Sequence, residues 1–294
     1  MYAEIFNDYE NNVASGEYAH AEGTYTEASG YCSHTEGTST VASGDLSHAE
    51  GYMSQAYGEL AHAEGYTTTA GYHAHSEGDY TNAAGNYSHA EGTSNTAFGD
   101  YSHTEGGGTY TFGHGAHAEG GSTVASGYGA HAEGQSSGMV WFDEWVSDNA
   151  LKNLWNNASY DEKFVLATGW GAHAEGVDTF AEGSAAHAEG MCTIASGDAT
   201  HVEGRYNIKD SNNQYAHILG NGESSDNRSN AHTIDWNGNA WFEGDVRVGG
   251  TAYNSSNSKK LLTSDDLDYN SLKNKPTYST IVNQGLPTNF TNEC

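Results

Sequence analysis

Basic side chains are the scarcest feature of this sequence. Ten Lys and Arg stand against 39 Asp and Glu, a formal charge of −29, and the first of the ten is Lys152. Histidine is therefore the one side chain able to become a cation over the first 151 residues. So acidic a surface repels phosphate backbones and anionic lipid, which excludes nucleic acid and membrane surfaces as partners and leaves divalent cations and uncharged glycans. Cysteine is also sparse: Cys32, Cys192 and Cys294 are odd in number and far apart, so no disulfide framework is implied. Large aliphatic residues are few, which excludes a thick apolar core. No apolar run is long enough to span a bilayer, and Met1 to Asp8 has neither the basic segment nor the apolar stretch of a secretory signal. The expectation is a chain made and assembled in the cytoplasm.

What is present is a repeat. The pattern His-x-Glu-Gly occurs twelve times, almost always fourteen residues apart. Its histidines are His20, His34, His48, His62, His75, His89, His103, His117, His131, His173, His187 and His201. Its glutamates are Glu22, Glu36, Glu50, Glu64, Glu77, Glu91, Glu105, Glu119, Glu133, Glu175, Glu189 and Glu203. Midway between copies sits a second glycine, as in Val41-Ala42-Ser43-Gly44, so each unit is two halves, each closed by Gly. A fixed short period of this kind is the signature of a solenoid.

Two residues before each Gly stands a small side chain, such as Ala28, Ala42 and Ala56 in one half or Ala49, Ala63 and Ala90 in the other, with bulkier or charged groups between. That period of two reads as a short strand with two unlike faces. A coil is then strand, Gly turn, strand, Gly turn, with glycine supplying the positive φ of the bends. Stacked at roughly 4.8 Å, twelve coils make a rod on the order of 60 Å long. One unit, from His62 to His75, is thirteen residues, because the segment between Gly65 and Gly71 is a residue short. A turn absorbs such a deletion, whereas a strand would flip its faces.

The chain divides into a lead-in (1–10), repeats (11–134), an insertion (135–168), further repeats (169–220), a hairpin region (221–250) and a linker or tail (251–294). The insertion carries Trp141, Phe142, Trp145, Trp155 and Tyr160, with apolar spacing and a Ser159-Tyr160-Asp161-Glu162 capping box that predict a small helical excursion. Ala216-His217-Ile218-Leu219-Gly220 is a degenerate repeat with Leu219 in the Glu slot, which suggests that the slot is buried. Asn237-Gly238 between two strand-like runs predicts a hairpin.

Units such as Ser33-His34-Thr35-Glu36-Gly37, with a Ser-x-Ala-x-Gly frame in each half, resemble the YadA-like head repeats of trimeric autotransporter adhesins. The His-Ala-Glu-Gly version is similar to repeats of bacteriophage tail-fibre and minor structural proteins. The segments Ser229 to Trp241 and Tyr269 to Thr277 resemble stretches that accompany such repeats in phage tails. The resemblance covers roughly 11–220 and implies an all-β fold, a left-handed parallel β-roll of 14-residue coils assembled as a homotrimer. This chain departs from the adhesin pattern in placing His and Glu where apolar residues usually stand. The function implied is a structural and adhesive part of a virion tail, meeting a host surface glycan or protein and other tail or baseplate proteins. A cellular trimeric adhesin head, placed on a bacterial surface, and a glycan-degrading spike are the alternatives.

The His and Glu slots hardly vary, whereas the equivalent slot of the other half holds Val13, Glu27, Val41, Gln55 and Thr96 and reads as water-facing. The favoured geometry puts the small residues inside a thin roll and the His/Glu face toward a three-fold axis; the rival puts His and Glu inside the roll. Stacked carboxylates repel, and imidazole is the one recurrent donor, so the expectation is a structural His–Glu ladder with histidine pKa values raised by the carboxylates. Divalent metal on the axis is the lesser alternative, with His73 and His75, read as sharing one strand face, as the sharpest pair. The aromatic insertion is the recognition candidate. No Ser/His/Asp pattern, phosphate loop or Cys-rich motif stands out, so no enzymatic activity and no cofactor are expected.

Overall fold

The computed structural model describes residues 11–136, 164–244, 246–248 and 251–253. The expected lead-in, the helical excursion with its aromatic residues, and most of the C-terminal tail lie outside the described residues. The chain divides into two units, Met1–Trp241 and Phe242–Cys294.

Among the described residues every regular element is a strand, and the first unit is a parallel β-solenoid. Each coil contributes a strand of two or three residues to a narrow sheet, from Val13–Ala14 to Ile194–Ala195. It contributes a longer one, such as His34–Thr38 or His48–Tyr52, to a second sheet that carries the ladder. Pairing is in register from coil to coil: His48 lies beside His62, Glu50 beside Glu64 and Gly51 beside Gly65. Amide hydrogen bonds run between coils, as from His34 N to Ser47 O at 2.9 Å.

The interior is built mainly of small side chains, because the two sheets face each other across a narrow space. Ala42, Ala56, Ala70, Ala49 and Ala63 are fully buried, and Thr40, Ser47 and Thr68 fill the inner corners. Serine hydroxyls bond locally, as where Ser47 Oγ donates to Gly44 O at 2.6 Å, whereas the buried Oγ1 atoms of Thr68 and Thr104 have no hydrogen-bond partner among the described residues. Each buried methyl contributes only about 0.8 kcal/mol, so stability accumulates by stacking and not from any one layer.

The glycines have two different duties. Gly37 has a φ of 106°, the bend the sequence predicts, but Gly44 does not adopt a positive φ; a Cβ there would lie 1.8 Å from the Gly58 carbonyl oxygen. The mid-unit glycine column is therefore a close approach of backbone to backbone. Left-handed residues at the corners are instead mostly non-glycine, among them Leu46 (φ 57°) and Met53 (φ 57°). Their amides donate to the corner of the preceding coil, Leu46 N to Tyr31 O at 2.7 Å and Met53 N to Thr38 O at 2.9 Å, which holds a conformation that costs about 1 kcal/mol or more per residue. Glycine thus takes the positive φ after each His-x-Glu, as expected, while most of the corners take it from other residues.

The short coil behaves as the sequence predicts. Thr69–Ala70 runs directly into Gly71, without the residue that Tyr57 and Ala84 provide in its neighbours, and the register of His75 on His62 is kept. The insertion is shorter than the sequence boundary: Gln135 completes the strand His131–Gln135, and Val165–Ala167 already pairs with Thr123–Ala125. The stack closes where Tyr215–Asn221 pairs parallel with His201–Arg205 and antiparallel with Asn230–Asp235. The hairpin at Asn237-Gly238 is present, with Asp235 N donating to Asn239 O at 2.9 Å. Asn207 caps the narrow sheet, accepting from Ile194 N at 2.8 Å and donating to Ile194 O at 3.0 Å. In the second unit Val246–Val248 pairs antiparallel with Thr251–Tyr253, so the polar tail begins with a strand.

The glycine columns generate the first prediction. Gly44→Ala forces a Cβ into the Gly58 backbone and is expected to cost about 3 kcal/mol or more. Gly107→Ala, with nothing within 4 Å of its Cβ, is expected to stay within about 0.5 kcal/mol. Paired thermal melts of the two variants check this; equal melting points would rule out close approach as the constraint.

Candidate functional site: the histidine and glutamate face

In the strand His-x-Glu the middle residue points into the roll, so His and Glu both point outward. In-register stacking turns each into a column. Successive imidazoles lie nearly parallel, His34 on His48 at 4.8 Å and 5°, His75 on His89 at 4.9 Å and 3°, His117 on His131 at 4.9 Å and 3°. The column crosses the insertion unbroken, with His131 on His173 at 4.8 Å, and ends at His217, which meets His201 edge-on.

The glutamates flank the imidazoles. His103 Nε2 meets Glu91 Oε1 at 3.2 Å and His131 Nε2 meets Glu119 Oε1 at 3.2 Å, both hydrogen bonds. Elsewhere the separation is longer, as for His48 to Glu36 at 3.7 Å and His89 to Glu77 at 3.7 Å. Glu64 serves two coils, 3.8 Å from His62 and 3.7 Å from His75. About a third of each side chain is exposed, 33% for His48 and 38% for Glu36.

Burial decides the protonation. It lowers the pKa of His34, His75, His117 and His173 below the usual 6.5, the neighbouring imidazoles add to the effect, and the carboxylates oppose it without overcoming it. The expected upward shift is thus reversed for these four. Among the carboxylates, hydrogen bonding between neighbours separates their values: Glu105 is lowered by its bond to Glu119, and Glu119 is raised by its bond to Glu105. Such neighbours titrate as a coupled pair.

The rival geometry, with His and Glu inside the roll, is excluded by the alanine interior. Leu219 does occupy the Glu slot, beside Glu203, but is only half-buried, so the inference of a buried slot does not hold within one chain. His73 and His75 do not share a strand face: the strand begins at His75, and His73 sits in the corner at φ 53° with its ring 4.3 Å from Tyr72 and 4.7 Å from Tyr87. The slot read as water-facing is exposed at Val13, Glu27 and Gln55, but from Tyr110 onward it is buried, with Tyr110, Val124, Leu166, Phe180 and Ile194 forming an apolar cluster. Trp141, Phe142, Trp145, Trp155 and Tyr160 lie outside the described residues.

Sequence reasoning missed an aromatic row along the corner that precedes the ladder strand. Tyr87 stacks on Tyr101 at 5.0 Å, Tyr101 meets His114 at 5.1 Å, and His114 stacks on Tyr128 at 5.0 Å. The signal was available in the 20 tyrosines, but it alternates between positions two and three residues ahead of the ladder histidine, which blurs the period.

No family model and no curated protein matches the chain. The fold alone defines its class, a parallel β-solenoid with a polar ladder on one outer face.

The lowered histidines set the pH dependence. Below about pH 6.5 the unfolded chain takes up protons that His34, His75, His117 and His173 refuse in the folded state, so stability is lost as pH falls. Thermal melts are expected to drop from pH 7 to pH 5 and to stay level from pH 7.5 to pH 9. A chain that instead loses stability on the alkaline side would carry charged, paired histidines.

Proposed function

We propose that this chain is the structural and adhesive component of a bacteriophage tail fibre or similar virion appendage, a homotrimeric rod that presents host-binding surfaces. The observation that carries the reading is the insertion. Residues 137–163 stand between Ser136 and Phe164 in the sequence, yet the ladder continues without a change of register from His131 to His173. A scaffold that tolerates a graft of this kind suits display, since a loop on a rigid repeat varies without disturbing the coils beneath it. The partly exposed ladder face, alike in every coil, supports self-association about a three-fold axis. The high negative charge supports an uncharged host glycan or a protein as the partner over nucleic acid or membrane. The role is non-enzymatic, because the ladder repeats the same two groups along its length and does not converge different groups on one reacting centre.

Sedimentation equilibrium of the full chain is expected to give about three times the 31.2 kDa chain mass; a stable folded monomer would remove the rod model. Glycan-array binding by the Trp141→Ala/Trp155→Ala variant is expected to fall tenfold or more, about 1.4 kcal/mol, with the melting point unchanged. Undiminished binding would place recognition elsewhere, and cleavage of host polysaccharide by the purified protein would overturn the non-enzymatic role.

A further inference from the structure

The ladder has an unbalanced charge. Its glutamates recur once per coil beside imidazoles, and no Lys or Arg occurs before Lys152 to offset them. Glu119 lies in register between Glu105 on one coil and Glu133 on the next. Two carboxylates that close are held together by a proton or by a cation between them.

A second observation concerns the imidazoles. Nine ladder histidines, His48, His89 and His117 among them, have an Nε2 atom shielded from solvent and without a hydrogen-bond partner, aimed at carboxylates too distant to bond directly. A buried nitrogen without a partner is costly, and its lone pair is a ligand for a metal ion. The distances suit such an ion. At His131, which is not one of the nine, Nε2 is hydrogen-bonded to Glu119 Oε1 at 3.2 Å and also lies 3.6 Å from Glu133 Oε2. Donors around a tetrahedral ion with bonds of about 2.0–2.1 Å are about 3.4 Å apart, between the two observed separations.

The same geometry determines which groups cooperate. Groups of two histidines and one glutamate, such as His117, Glu119 and His131, bring their ligand atoms within 4.8 Å of one another. Yet the rings of His117 and His131 are parallel to within 3° at 4.9 Å, and one ion cannot lie in both ring planes, where the lone pairs point. One imidazole and the carboxylates of two successive coils form the workable set.

We propose that the outer face of the solenoid is a linear array of sites for Zn²⁺-class divalent cations, each held by one imidazole and two carboxylates, as at His131, Glu119 and Glu133. Neighbouring sites share a glutamate, and doubly charged ions about 5 Å apart repel, so alternate coils fill, giving roughly six ions per chain. The array stands on contacts within one chain and does not depend on the trimer or on host attachment.

The test uses the full chain, stripped with a chelator and titrated with Co²⁺ as a spectroscopic stand-in for Zn²⁺. Several Co²⁺ per chain are expected, with the visible absorption of a tetrahedral ion, displacement by Zn²⁺ and a raised melting temperature. Glu119→Gln/Glu133→Gln is expected to bind at least one ion fewer; it should fold, because a neutral side chain, Leu219, already occupies this slot beside Glu203. Far-ultraviolet circular dichroism confirms that it does. Fewer than one Co²⁺ per chain, an unchanged count in the variant, or displacement of Co²⁺ by equimolar Ca²⁺ would each overturn the proposal, the last by revealing only a diffuse counter-ion atmosphere.

Discussion

Everything in this molecule depends on how closely one coil can approach the next. At the mid-unit glycine column the backbones come so near that a Cβ on Gly44 or Gly99 would lie 1.8 or 2.1 Å from a carbonyl oxygen of the following coil. That approach keeps the amide-to-carbonyl bonds between coils near 2.9 Å along both sheets, and it leaves a narrow interior filled mainly by alanine, serine and threonine, with Val165, Val202 and Ile218 among its largest buried side chains. A roll so thin has no deep core, so stability comes from repetition and a defect at one layer is shared with its neighbours.

The polar ladder follows from that geometry. Because the small residues take the interior, the alternation of a strand sends His and Glu outward, and in-register pairing stacks like upon like. Parallel imidazoles at about 4.8 Å favour neutral rings, since each protonated ring raises the cost of protonating the next. Neutral rings offer the ladder carboxylates no counter-charge. The ladder is thus a well-ordered but electrostatically open surface, suited to self-association and to cations, with its donors evenly spaced.

The repeat, its length and its two-faced halves were legible from the sequence, because a period of two inside a period of fourteen admits few folds. The tolerated deletion before Gly71 and the hairpin at Asn237-Gly238 were legible for the same reason: local chemistry and register decide them. Other features were not. The reading of glycine as the bend residue overlooked corners such as Leu46, where a hydrogen bond to the preceding coil holds the left-handed backbone. His73 and His75 looked like neighbours on one face until the bend between them separated their rings. The protonation of His117 depends on burial and on His103 and His131 above and below it, groups fourteen residues away in sequence.

The sequence alone determined that the chain is an acidic β-solenoid of short coils, since charge, glycine spacing and alternation are properties of the residues in order. Tertiary structure decided which side of each strand faces water, how far the insertion extends, and that burial lowers the pKa of His34, His75, His117 and His173 where the sequence suggested the reverse. Those outcomes depend on distances between coils, and distances of a few ångströms between stacked, identical groups are set by packing, which no single repeat contains.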